Sequence, residues 1–303
     1  MHNIHFYTLL YIDPNETRQL RGKNRSGDER IKIFLRNAAM LNKSLIEFGR
    51  IANPLTILTN EHDLIARLSD EIGYQDYDIL EIPFSLNVPK GIKFYSAHYK
   101  IDAYKYLSTL DSERYSVLVD NDIVLLNDFP QEFFNIAEAG IPICYRLQGY
   151  DIDRIMKDTR KISPDTSVVE WCGGEFMSGK TKFWKELYER CVNIAPSYFS
   201  SLDKDLFHVG DEMLTSLAIA EMTDNGMRLL DAGTMNIIRR FWGANEDVSI
   251  KKLKASLIHL PADKVWIASK PLNSQFTPPE FIKSYSRYMR IFKFISRLKS
   301  LLH

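Results

Sequence analysis

The sequence predicts an α/β fold on a mostly parallel central sheet. Three observations carry this. Short apolar runs alternate with longer stretches at helical spacing through the first half of the chain. One of those runs, Tyr115–Val119, ends in two carboxylates, Asp120 and Asp122. The 303 residues are 45% hydrophobic and 26% charged, the composition of a chain that can bury a large core.

The elements follow in order. Ile4–Leu10 is short and apolar, as a buried strand is. Residues 13–30 are polar, and within them 21–28 read as a mobile loop, because glycine and charge break any periodicity. Residues 31–48 repeat apolar side chains at helical spacing and stop at Gly49. Residues 54–59 form a second strand. His62–Ile72 is a helix closed by Gly73. Residues 78–84 form a third strand and 93–110 a long helix. In the second half, 141–147 and 256–260 read as strands, and 182–195 and 211–222 as helices. Residues 151–165 read as a polar linker, and the run 168–177 carries Trp171-Cys-Gly-Gly-Glu-Phe. No repeat and no clean break appears. One domain over residues 1–270 is expected, with a tail over 277–303.

Composition excludes several classes. Basic and acidic residues both number 39, so a nucleic-acid-coating role, which needs excess positive charge, is disfavoured. Three cysteines, Cys144, Cys172 and Cys191, are too few for a disulfide framework or a cysteine zinc site, which fits a reducing cytoplasmic compartment. The first apolar run has no basic flank or small-residue cleavage site, so it is not read as a signal peptide. No apolar stretch approaches the roughly 20 residues of a membrane span.

Asp120-Asn121-Asp122 is the sharpest chemical feature. In an extended segment residues i and i+2 point the same way, so both carboxylates can reach one cation. Hard ions such as Mg²⁺ and Mn²⁺ favour such oxygens and would neutralise a diphosphate leaving group. The same residues also suit a polar strand-to-turn junction.

Here the chain resembles a glycosyltransferase of the GT-A fold, nearest to the retaining family 8 type of bacterial lipopolysaccharide galactosyl- and glucosyltransferases. The resemblance implies a single GT-A, Rossmann-like domain in which a D-x-D motif holds Mn²⁺ (or Mg²⁺) on the diphosphate of a UDP-sugar. It places metal ligation on Asp120 and Asp122, with Asn121 among the donor-binding residues. A late segment, His259-Leu-Pro-Ala-Asp-Lys264-Val-Trp266, is similar to the family's His-x-x-(Gly/Pro)-x-Lys-x-Trp. That likeness assigns a metal-ligand role to His259 and a diphosphate contact to Lys264. Trp171-Cys-Gly173-Gly174-Glu175-Phe176 stands where the family has its Asn-(Ala/Gly)-Gly sugar-binding strand, without the Asn and with Glu175 added. Gly210-Asp211-Glu212-Met-Leu resembles the Asp-Gln-Asp-x-Leu segment beside the donor sugar. Asp211 falls where the family often has Gln, which leaves an inverting route open beside the retaining one.

Each residue also has a plainer reading. Glycosyl transfer builds negative charge on the diphosphate and positive charge on the sugar ring, so cations and carboxylates are both needed. Asp211 and Glu212 could position the sugar, stabilise its anomeric carbon or act as a base. They equally suit the start of a helix. His259 could be a core histidine, Lys264 a surface lysine, and Gly173-Gly174 the mark of a bulge. If the sheet is wound as proposed, the end of the first strand faces the nucleotide. Thr8 would then bond the uracil or ribose, Tyr11 would stack on the base, and Lys100 would reach a phosphate. Packing is the alternative for Tyr11.

The tail opens with Thr277-Pro-Pro-Glu280, a capping-box pattern with Thr277 as N-cap. Beyond it lie Lys283, Arg287, Arg290, Lys293, Arg297 and Lys299, with no acidic residue, among Phe281, Ile282, Tyr285, Met289, Phe292, Ile295 and Leu302. That is a basic amphipathic helix suited to an anionic membrane surface, or to packing on the domain with its basic side in water.

The sequence thus reads as a soluble or membrane-peripheral glycosyltransferase. It would move a hexose from a UDP-sugar to a saccharide or lipid-linked saccharide in surface polysaccharide or lipopolysaccharide assembly. The rival from another class is a non-catalytic subunit that binds sugar nucleotides or glycans. A sugar-phosphate nucleotidyltransferase is disfavoured, because residues 8–22 lack its Gly-rich basic loop.

Overall fold

Strand β1 (Ile4–Leu10) is buried at five of its seven positions, as a run apolar on both faces should be. It lies inside a parallel set. β1 pairs with β2 (Thr56–Thr59) on one side and β4 (Tyr115–Val119) on the other, and β2 pairs with β3 (Asp78–Glu81). β4 then meets β7 (Trp171–Gly179), which runs antiparallel and continues to β6 (Ile143–Leu147) and β8 (Leu230–Asp231). The order is β3-β2-β1-β4-β7-β6-β8, and β7 alone opposes the others. The computed structural model describes residues 3–13, 27–149, 151–166 and 170–301, with side chains to 295 except at 244. Residues 21–26 of the expected mobile loop, and Leu302 of the tail, lie outside the described residues.

Helices cover the sheet. α1 (Asp28–Lys43) runs on through a π turn, Ser44–Phe48, to Gly49. α2 (His62–Ile72) ends where Gly73 takes φ 70°, a left-handed turn that costs glycine little. α3 (Lys100–Leu107) packs against α6 (Thr181–Phe199), which packs against α7 (Asp211–Asp224). Their contact is aromatic: Tyr104 and Trp184 are buried with ring centres 5.6 Å apart. Burial of each such side chain is worth about 1.5–3 kcal/mol. α4 (Gln131–Ala139) was not anticipated.

Three expectations are corrected. Residues 151–165 are not a linker but contain α5 (Ile152–Ile162). The Asp151 carboxylate accepts the Arg154 amide at 3.0 Å, and Ile155 and Ile162 are buried. A dense set of charges hid this apolar stripe. Residues 93–110 are not one helix. Phe94 adopts φ 55°, and a 3-10 turn, Tyr95–Tyr99, precedes α3. Stacking of Tyr99 on Tyr11 holds that turn in place. The Thr277 hydroxyl is buried with no hydrogen-bond partner, so it does not cap the Glu280 amide, and Pro279 offers no N–H in its place.

A second, three-stranded sheet stands beside the first: β5 (Ile123–Leu125), β10 (Leu257–His259) and β9 (Ile238–Arg240), with β10 in the middle. After β10 comes α8 (Lys264–Ala268), and the chain closes on α9 (Pro278–Leu301). The first half of α9 packs on the domain. Phe281 and Tyr285 are buried against Trp266, at 5.1 and 4.9 Å between ring centres. The Tyr285 hydroxyl donates to Asp263 at 2.6 Å.

Candidate active site

Strand register assembles the site. The parallel strands β1 and β4 release their chains at the same edge of the sheet, where α/β ligands bind. Asp120 therefore emerges beside residues 9–12. The antiparallel neighbour β7 brings Glu175 alongside, and the Asp120 amide donates to the Glu175 carbonyl at 3.2 Å. In the second sheet His259 faces Ile123 across β5 and Arg240 across β9. The Leu260 amide donates to the Asp122 carbonyl at 3.0 Å. Residues distant in sequence thus meet at one cavity of about 430 Å³.

Asp120, Asp122 and His259 each offer a ligand atom, all within 4.8 Å of one another. His259 Nδ1 faces Glu175 Oε1 at 3.3 Å. That contact turns Nε2 toward the two aspartates, 3.2 Å from Asp122 and 3.8 Å from Asp120. Nε2 is buried and makes no hydrogen bond. A buried nitrogen facing two carboxylates suits a divalent cation, so the donor set fits the expected metal.

The charges around this triad are balanced. Burial alone would lift the Asp122 pKa, but the Lys264 ammonium and the His259 imidazole hold it well below the carboxylate range. Lys264 Nζ contacts Asp122 directly. Burial would lower the His259 pKa, but Asp122 and Glu175 raise it to about 9. Lys100 Nζ sits 2.8 Å from Asp120 Oδ1 and 3.2 Å from Asp211 Oδ2, and donates to the Gly174 carbonyl at 2.8 Å. Its burial favours the neutral amine, yet those two carboxylates keep it charged and raise its pKa.

The part of the cavity next to Lys100 is built on an irregularity. Cys144 of β6 faces Met177, whereas Tyr145 faces Gly173, so residues 174–176 of β7 bulge away from β6. The bulge and the site coincide. A Cβ on Gly174 would lie 2.5 Å from Asp211 Oδ2 and 2.8 Å from Lys100 Nζ. The expected pair at the start of α7 divides. Both line the cavity, but Asp211 Oδ2 makes only an ion pair to Lys100 and no hydrogen bond. Glu212 is engaged by Trp171 Nε1 (3.0 Å), the Gly174 amide (3.3 Å) and Arg240 (2.8 Å), with His208 at 3.4 Å.

Of the residues assigned to donor binding, Tyr11, Lys100, Asn121, Gly174 and Lys264 line the cavity. Tyr11 also stacks on Tyr99, ring centres 3.9 Å apart. Thr8, Gly173 and Glu175 do not line it. Thr8 is 1% exposed, because β1 is covered on both faces. A Cβ on Gly173 would collide with the Glu175 carboxylate, so this glycine makes room for Glu175. Glu175 is wholly buried and paired with Arg240, at 2.6 Å from both Nε and Nη2. Burial would raise its pKa, but His259 and Arg240 bring it down to about 2.

Among the lining residues that were not anticipated are Phe94, His208, Arg240 and Trp242. The run Arg239-Arg240-Phe241-Trp242-Gly243 was the available signal for two of them. No fixed spacing relates it to the aspartates.

No family model and no curated protein matches the sequence. Solved structures do match in three dimensions. An active-site mutant of LgtC superposes with a TM-score of 0.51 at 9% identity, covering 94% of this chain and 95% of that one. The galactosyltransferase LgtC in complex with donor and acceptor sugar analogs also gives 0.51 at 9%, covering 87% and 95%. The bifunctional glycosyltransferase WbbM, apo, gives 0.52 at 10%, covering 89% of this chain and 50% of that one. The α/β class and the mostly parallel sheet stand as expected, and the chain has the GT-A fold of these glycosyltransferases, with Asp120, Asp122 and His259 gathered at its strand ends.

Proposed function

We propose that this protein is a glycosyltransferase that moves a hexose from a UDP-sugar to a saccharide acceptor. The observation that carries the reading is one cavity that holds two kinds of group side by side. The Asp120, Asp122 and His259 triad and Lys264 line it, and Asp211 with Gly174 lies next to them, joined to Asp120 by the Lys100 ammonium. Asp120, Asp122 and His259 would hold Mn²⁺ or Mg²⁺. When bound, such an ion supplies charge neutralisation for a departing diphosphate. Lys264 adds a fixed positive charge at the same place. Asn121 and Tyr11 would contact the nucleotide.

Asp211 is the carboxylate available to the sugar. Held by Lys100, it would stabilise positive charge at the anomeric carbon in a retaining reaction, or take the acceptor proton in an inverting one. Glu212 positions the Gly174 amide and Arg240 instead. The acceptor would belong to surface polysaccharide or lipopolysaccharide assembly.

The outer half of α9 supports work at a membrane surface. Ile291, Phe292, Phe294 and Ile295 are exposed beside exposed Arg290 and Lys293. Among the described residues no helix is long and apolar enough to cross a membrane. A basic helix with exposed aromatic side chains can lie on an anionic bilayer.

The test is nucleotide release from a panel of UDP-, GDP- and CMP-sugars, each with and without Mn²⁺. Metal-dependent release from one UDP-hexose is expected. Release from none, with or without added oligosaccharide, would overturn the reading.

A further inference from the structure

A second groove adjoins the cavity. It encloses about 530 Å³ and shares two residues with the site, Arg240 and Trp242. Its charge is one-sided. Arg146, Arg239, Arg240, Lys252 and Lys254 line it, against the single carboxylate of Glu246. Three of these cations are already paired: Arg146 with Glu170, Arg239 with Glu246, and Arg240 with Glu175 and Glu212. Lys252 and Lys254 are exposed and make no ion pair among the described residues. With the three arginines offset by their carboxylate partners, the uncompensated positive charge of the groove is that of Lys252 and Lys254.

We infer that this groove binds the acceptor, and that the acceptor is an anionic saccharide carrying phosphate or carboxylate groups. The inference rests on the transferase reading and adds the acceptor's chemistry to it. Trp242 is 40% exposed where the two cavities meet. Its indole gives a sugar ring a flat apolar platform. The sugar to be modified rests there, beside the donor, and the rest of the acceptor runs out along the lysines. Lys252 and Lys254 bind its anionic groups through long-range attraction and charge-assisted hydrogen bonds.

The test uses the full chain saturated with UDP and Mn²⁺, then titrated with three tetrasaccharides: tetragalacturonate, a phosphorylated maltotetraose, and plain maltotetraose. The expected result is that at least one anionic sugar binds about tenfold tighter than the neutral one, the equivalent of two modest charge contacts. The winning sugar identifies carboxylate or phosphate. That preference should fade with added salt. The double substitution Lys252→Ala/Lys254→Ala should remove it while UDP binding stays unchanged. Equal affinity for all three, binding of none by a protein that holds UDP, or a preference that survives the double substitution would overturn the inference. Failure to hold UDP would count against the transferase reading alone, since the same titration without nucleotide still reads the groove.

Discussion

Glu175 Oε1 lies 3.3 Å from His259 Nδ1, so a wholly buried carboxylate fixes the ring whose other nitrogen faces Asp120 and Asp122. A partner of this kind orients a metal-binding histidine and raises its basicity. Glu175→Gln should weaken Mn²⁺ binding by about 10–100-fold, the usual cost of losing such a partner. Calorimetric titration checks this. Unchanged affinity would make Glu175 a partner of Arg240 alone.

The same ring predicts a pH dependence. His259 titrates near 9 in the metal-free protein, against 6.5 ordinarily. The stability it gains from Asp122 and Glu175 is fully present below pH 6.5 and is lost as pH rises through 9. A metal needs the unprotonated nitrogen, so Mn²⁺ binding at pH 7 should release close to one proton. The check is the binding enthalpy in buffers of different ionisation heat. Enthalpies that do not vary with the buffer would contradict it.

Arg240 bridges Glu175 and Glu212 in a mostly buried network. Arg240→Met leaves Glu175 buried without its guanidinium, a loss worth about 3–5 kcal/mol. Glu175 is held near pKa 2, so its ionised form is the stabilised one from neutral pH down toward that value. In the variant Glu175 can protonate more readily, and the penalty should shrink as pH falls. Urea unfolding at pH 7 and at mildly acid pH measures both effects. A penalty under about 1 kcal/mol, within the range of a surface pair, would show the network to be peripheral.

The tail is two things in one helix. Tyr285 is buried on Asp263 and Trp266, next to Lys264, whereas residues 291–295 are exposed. Removing residues 277–303 should destabilise the domain by at least the roughly 3–5 kcal/mol of one lost core aromatic. Removing only 290–303 should preserve the melting temperature and abolish binding to anionic vesicles, since each basic residue near such a surface contributes about 1 kcal/mol. Full vesicle binding by the shorter chain would refute the membrane role.

Much of this was legible in the sequence because its signals are local. β1, β4 and α2 fall where periodicity and Gly73 place them. Asp120 and Asp122 announce themselves by spacing, and His259 by its likeness to a known segment. What escaped depends on register. Glu175 leaves the cavity and joins His259 because a bulge in β7 meets a second sheet. Arg240 reaches both acidic residues because β9 lies parallel to β10. α5 escaped for another reason: its charges masked a stripe held by Ile155 and Ile162.

The most direct test is the titration of UDP into the protein, with and without Mn²⁺, in wild type and in Asp122→Ala. Tight binding that requires Mn²⁺ and weakens at least about a hundredfold in the variant, as loss of a carboxylate ligand should cause, is the predicted result. UDP binding that ignores both the metal and Asp122 would contradict it.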